Sequence, residues 1–340
     1  MVTTIFKAAT AALALCATTV LGGMAGAQEI TLRFTQPWPS LHPQWIHGGQ
    51  VFVDHVTAAT GGAVKFEAYH AAQLGNDNLA LLKAGLADLA LTSTSYASDR
   101  MPLSNVAELP GFAAGACEMN RKLRALSSEG GALYENEYKG LGLRPIYMAA
   151  PPVTSVVLGK AKAASLGDLK GLKLRATGGG TLATVQAMGA VPVQTVASEL
   201  YDALSRGTID GALYQFVGMP SFSLEDVFHS GIDNIHGGSL AVITFMSEKK
   251  WQSLPEAVRV AMQEGAQKAE QSLCSWFDEN ESKIRDGMIA DKGFAMTSLP
   301  EADVAAWTEA QTALADDWAA RMDKQGRKGT LVLEAMRQIP

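Results

Sequence analysis

The chain has 340 residues, with 28 lysines and arginines against 34 aspartates and glutamates and a formal net charge of −6. That acidic balance argues against nucleic acid or an anionic membrane surface as a partner, and any anion site must work locally against the overall field. Three cysteines without a CxxC pair give redox and structural-zinc chemistry no support.

Residues 1–27 read as an export signal. Lys7 is the only charge, an apolar run extends from Ala8 to Leu21, and Ala25-Gly26-Ala27 supplies a small-x-small cleavage pattern. The run is shorter than the ~20 residues a spanning helix needs. Leu15 stands where lipidation of Cys16 wants a small residue, so cleavage after Ala27 and a free periplasmic protein beginning at Gln28 are expected. Loss of Lys7 from the 28 basic residues leaves 27 against 34 acidic ones, about −7. Of the cysteines that remain, Cys117 and Cys274, an oxidising compartment permits a disulfide. Their apolar, helix-like contexts (ACEMNRKL and QSLCSWF) fit two buried thiols equally well.

Two lobes are expected, because the 313 residues left when 27 of 340 are removed exceed what one core usually serves. Ile30–Gln36 alternates as a strand, Gln44–Thr60 reads as a helix, and Val64–Tyr69 is a second strand. Asn76–Ala84 is helical again, and the apolar run Leu89–Thr92 is a third strand. This alternation predicts a parallel α/β sheet. A second series follows Gly142, with strands at Leu143–Tyr147, Val153–Leu158, Lys173–Arg175 and Gly211–Tyr214. A short echo links the two series: ALLKAGLADLAL at Ala80–Leu91 and DALSRGTIDGAL at Asp202–Leu213 share Gly85/Gly207 and Asp88/Asp210. Each reads as a helix end, a glycine stop and an acidic entry into a buried strand.

Within the second series, the strand Lys173–Arg175 ends on a cation. The glycine run Gly178–Gly180 follows, and then a helix from Thr181 to Met188. A helix N-terminus beside a guanidinium fork suits a carboxylate or phosphate. A carboxylate of the chain itself, Glu199 or Asp210, is the alternative partner for Arg175. The run lacks both GxGxxG and a following Gly-Lys-Ser/Thr, which disfavours a nucleotide.

Pro255–Lys292 is a helical pattern of 38 residues with Pro at its first turn and Gly293 beyond. At ~1.5 Å per residue it spans roughly 57 Å. Its apolar positions do not hold a heptad, so it is expected to bridge two lobes, with a bend at Gly287 or within Asp278–Ser282. A strand at Phe294–Ser298 and a helix at Pro300–Lys324 close the chain.

Enzyme signatures are absent: no GxSxG, no HExxH and no nucleophilic cysteine context. His42, His47 and His55 lack helical metal spacing and read as surface or satisfied histidines, while His70 ends a strand. Aromatics gather where strands end, with Trp38 and Trp45 in QPWPSLHPQW, Tyr69, Tyr96, Tyr147, and Tyr214-Gln215-Phe216. In open α/β sheets, ligands bind at those strand ends.

Along its whole mature length the chain resembles the solute-binding receptors of TRAP-type tripartite transporters, first associated with C4-dicarboxylates. GQVFVDHVTAATGGAVKFEAYHAAQLGNDNLALLKAGLADLAL resembles the family's N-terminal run. Ala107–Phe112 resembles its "LPf" segment, and Asp168–Arg175 its "DLKGLKIR". Met188–Val193 resembles "lGA.Pv", and Ser198–Leu204 with Gly207, Asp210 and Gly211 resembles "sEvY.AL..GvvDG". Trp251–Pro255 and Ala290–Gly293 fit later segments. The resemblance implies a two-lobed α/β fold of the periplasmic binding protein type (type II-like), with a long helix spanning both lobes and the ligand between them. Lobe I is then residues 28–150 plus about 240–279, and lobe II residues 151–239 plus about 280–340. The family's carboxylate-gripping arginine falls on Arg175. Tyr214 stands near where many relatives carry asparagine, and Thr154 where sialic-acid-type members carry a second arginine.

The expected function is therefore capture of a small organic acid, a monocarboxylate with an apolar body, by a monomeric periplasmic receptor. It hands that acid to the small and large membrane subunits, without enzymatic activity, cofactor, metal or nucleic acid. The expected binding residues are Arg175, Trp38, Tyr214, Tyr69, His70, Thr92, Ser95, Gln194 and Phe216. A sensor of the same fold feeding a signalling receptor, and a periplasmic hydrolase, are the rival readings.

Overall fold

The computed structural model describes residues 29–340, so the export signal and its cleavage point lie outside it. The first series is β1 (Ile30–Thr35), α1 (Gln50–Ala59), β2 (Val64–Tyr69), α2 (Asn78–Lys83), β3 (Leu89–Ser93), α3 (Ala116–Ser127) and β4 (Leu143–Met148). The second is β5 (Ser155–Leu158), β6 (Lys173–Ala176), α4 (Gly179–Ala187), β7 (Val191–Gln194), α5 (Leu200–Ser205), β8 (Gly211–Tyr214) and β9 (Ser230–His236). Then come β10 (Val242–Ser247), α6 (Glu248–Ser253), α7 (Glu256–Lys292), β11 (Ala295–Thr297), α8 (Glu301–Lys324) and α9 (Gly329–Gln338).

Two sheets result, ordered β2-β1-β3-β10-β4 and β11-β9-β5-β8-β6-β7. They form the two lobes of the α/β fold. Neither sheet is parallel throughout, contrary to the expectation from alternation. β10 runs antiparallel to β3 and β4, and β5 runs antiparallel to β8 and β9. The cause is strand exchange: β5 enters the second sheet directly after β4, and β10 returns from β9 to the first. Each exchanged strand completes the other lobe's sheet, and its crossing doubles as a hinge connection.

The sequence echo is a structural repeat. Asp88 accepts the backbone N–H of Arg33 at 2.9 Å, and Asp210 accepts that of Lys173 at 2.8 Å. Gly85 and Gly207 each end a helix with φ of 68°, where a side chain would be strained. Phe34 pairs with Leu89, and Leu174 with Gly211. Arg175 is thus the second lobe's counterpart of Thr35.

α7 is continuous over 37 residues, about 55 Å, and stops at Gly293 with φ of 68°. It stays helical through both Asp278–Ser282 and Gly287. Val258 to Phe277 bury against the first sheet, whereas Met288 joins the second lobe's core. Between them Asp278 accepts the N–H groups of Ala116 and Cys117 at 2.6 and 3.1 Å. One turn on, Glu281 accepts those of Phe216 and Val217, both at 2.9 Å. Cys117 and Cys274 form a disulfide at the same joint, with Cα atoms 4.7 Å apart, so these cysteines are not the free buried thiols that were the alternative.

The C-terminal segment departs from the division expected between lobes. Trp307 of α8 packs in the second core. Leu314 to Met322 and the whole apolar face of α9 pack in the first, beside Leu103, Val106 and Met119. The chain from Leu314 onward therefore returns to lobe I, while the stretch from Met288 to Trp307 stays with lobe II.

Candidate functional site

Arg175 sits near the end of β6, between Leu174 and Ala176, which bury fully against the second core. Its side chain is carried inward with the strand and is 3% exposed. Nε donates to the Thr195 carbonyl at 3.1 Å, and the guanidinium carbon lies 5.5 Å from the centre of the Tyr214 ring. Neither expected carboxylate reaches it. Glu199 takes the Thr195 hydroxyl, and Asp210 takes the Lys173 N–H. No carboxylate among the described residues pairs with this buried cation. An unpaired buried charge is costly, by several kcal/mol, and an aromatic face offsets only part of that. An anionic ligand would complete the site.

Arg175 opens onto a narrow cavity of about 40 Å³ between the lobes, lined by Trp38, His42, Gln44, Ser93, Tyr96, Pro151, Tyr214, Gln215, Val217, Leu240 and Phe277, among others. That volume holds a few water molecules, less space than a ring-sized ligand fills. Its walls are mostly aromatic and aliphatic. His42 stacks on Trp38 with centroids 5.5 Å apart. Burial lowers its pKa to about 3, so the imidazole stays neutral. Its Nδ1 accepts the Gln44 N–H at 3.2 Å, which leaves the proton on Nε2. A larger hollow of about 800 Å³ lies beside the hinge joint, but Glu118, Asp233, Asp278 and Glu281 line it. Four carboxylates against the single guanidinium of Arg285 make it a poor anion site.

Of the nine expected binding residues, the structure brings Arg175, Trp38 and Tyr214 together in this cavity. The other six lie outside its lining. Tyr69 bonds Glu67 at 3.0 Å, and His70 faces Gln36 at 2.7 Å and Trp45 edge-on. Thr92 is buried within β3. Gln194 donates to the Thr177 carbonyl at 3.3 Å. Phe216 packs edge-on against Phe294 in the core. Ser95 turns away to bond Glu108. His42, read as a surface or satisfied histidine, is instead a buried cavity wall, and Gln44 was missed. His42 lies in the turn after the strand-end aromatic Trp38, and Gln44 opens the helical run expected from Gln44 to Thr60, so neither stood out as a site residue.

The glycine run is not the anion site. The carboxylate of Glu108, from the first lobe, already occupies the N-terminus of α4. It accepts the Thr181 N–H at 3.0 Å and the Ser95 hydroxyl. A Cβ on Gly180 would come within 2.8 Å of the Glu108 Cβ, so the glycines there permit close approach between lobes. Burial raises the Glu108 carboxyl to about 7 despite those donors.

Among the described residues, no helix is long and apolar enough to cross a membrane, and no cluster of His, Cys, Asp and Glu could hold a metal ion. Across 299 residues the chain is 24% identical to the outer membrane transporter protein TsaT of Comamonas testosteroni, covering 84% of each. A marine-metagenome TRAP solute binding protein specific for aromatic acid ligands, solved with metahydroxyphenylacetate, superposes with a TM-score of 0.83 at 22% identity, over 92% of this chain and 98% of that one. DctP7 of Bordetella pertussis, an extracytoplasmic solute receptor binding pyroglutamic acid, superposes with a TM-score of 0.78 at 21% identity, over 91% and 99%. The model of the DctP family, "bacterial extracellular solute-binding protein, family 7", matches residues 34–321. The chain belongs to that family of extracellular solute-binding proteins.

Proposed function

We propose that this protein is the periplasmic receptor of a TRAP-type transporter and that it captures a monocarboxylate with an apolar body. The observation that carries the reading is Arg175, a buried guanidinium without a carboxylate partner in a cavity walled by Trp38, Tyr214 and Phe277. A second carboxylate would enter that cavity unpaired, which costs several kcal/mol. Two of its structural neighbours bind metahydroxyphenylacetate and pyroglutamic acid, each with one carboxylate. The bound acid passes to the small and large membrane subunits, and two adjacent membrane-subunit genes would separate this role from that of a sensor. We also place cleavage after Ala27; an intact mass that retains residues 1–27 or a lipid would contradict it.

A thermal-shift screen of acidic and neutral compounds tests the ligand class. Saturation at about 100 times Kd stabilises by ~2.7 kcal/mol, enough to raise the melting midpoint by several degrees. Monocarboxylates should give the largest shifts. A large shift with succinate, malate or fumarate and none with any monocarboxylate would overturn the reading.

A further inference from the structure

Two glutamines that line the cavity around Arg175 each hold a buried polar atom that nothing in the protein uses. Gln44, from the first lobe, is 2% exposed and donates its Nε2 to the Ala149 carbonyl at 2.8 Å. That bond fixes the amide's orientation and leaves Oε1 buried with no donor. Gln215, from the second lobe, follows Tyr214 directly and is 7% exposed; its Nε2 is buried with no acceptor. Both line the cavity that holds Arg175.

Buried polar groups without partners are uncommon and costly, so a cavity that presents them is matched to a group its occupant brings. A free acceptor and a free donor call for a group that both donates and accepts, and a hydroxyl does so through a single oxygen. A hydroxyl donates to the one and accepts from the other. A carboxylate satisfies Gln215 but opposes the lone pairs of Gln44 Oε1, and a methyl group satisfies neither. A site that holds a hydroxyl this way also rejects the analogue that lacks it.

We propose that Gln44 and Gln215, one from each lobe, form a hydroxyl-recognition subsite, and that the ligand is a hydroxylated monocarboxylate. The inference rests on the reading that Arg175 holds the ligand's carboxylate. It deepens that reading, because the hydroxyl bridges both lobes and is fully bonded only when they close.

Calorimetric titration of the mature protein tests it, with benzoate, phenylacetate and butanoate each beside its monohydroxylated isomers and their methoxy counterparts. At least one hydroxylated acid should bind tenfold or more tightly than both its parent and its methoxy counterpart, which keeps the oxygen but lacks the donor. Gln44→Met and Gln215→Met should each erase that ratio. Arg175→Lys should weaken parent and hydroxylated acid alike. The methoxy comparison needs no variant, so it decides the matter even where a substitution lowers the yield of folded protein. Equal binding of parents and hydroxylated acids by the wild type would overturn the subsite and leave the Arg175 anchor standing. Binding of none of these monocarboxylates would overturn both.

Discussion

Glu108 shows how a single side chain couples the lobes. Its carboxylate leaves the first lobe to accept from Thr181 in the second, and burial lifts it from an ordinary 4.5 to about 7. The sign follows from proton counting. Between those values the folded protein holds a proton that the unfolded chain has released, so the contribution of Glu108 to stability is greatest at low pH and falls as pH rises through the window, on the order of a few kcal/mol. Glu137 and Glu281 are raised to about 7 as well and share the window. Glu108→Gln, permanently neutral, should shrink the loss between about pH 4.5 and 7 without abolishing it, as read from urea midpoints across pH. An unchanged profile would mean that Glu108 stays ionised at the helix N-terminus throughout. The sequence marked the helix N-terminus after the glycine run as suited to an anion but not whose anion, because Glu108 lies 73 positions from Thr181. Arg175 was legible as a cation at a strand end; His42 and Gln44 were not, because their cavity-side surroundings include partners distant in sequence, Phe222 and Ala149.

At the scale of elements, α7 holds the lobes through two carboxylates one turn apart. Removing either takes the acceptor from two backbone N–H groups, part-buried except for that of Cys117, at about 1 kcal/mol for each part-buried bond. The consequences should differ. Asp278→Ala frees the start of α3, which does not line the cavity, so it should lower the unfolding midpoint and spare ligand affinity. Glu281→Ala frees the loop that carries Gln215 and Val217, so it should lower both. Equal affinity in the two variants would contradict this division. The Cys117–Cys274 disulfide spans 157 residues, and its replacement by serines should cost about 2–4 kcal/mol, read as a lower melting midpoint than that of the oxidised protein. Element type was largely legible where periodicity was clean, as in β1, β2 and α7. β10 was not recognised: five of its six residues are buried, so VITFMS shows no alternation of apolar and polar positions. Its antiparallel return, and with it the mixed sheets, follows from a long-range exchange that no local pattern encodes.

At the scale of the molecule, two lobes with repeated strand geometry meet around one uncompensated cation. A ligand that touches both lobes favours the closed arrangement by its differential affinity for it. The acidic field of the whole protein does nothing to draw an anion in, so the attraction must come from Arg175 at short range. Its planar fork matches a carboxylate in a way that a lysine ammonium does not. The measurement that bears most directly on this account is a calorimetric titration of wild type, Arg175→Lys and Arg175→Ala with the monocarboxylate giving the largest thermal shift. The two variants should lose binding to nearly the same extent, roughly 2–5 kcal/mol, with far-UV spectra unchanged. Wild-type affinity in Arg175→Lys would contradict the account, and would make Arg175 a structural residue with the anchor elsewhere.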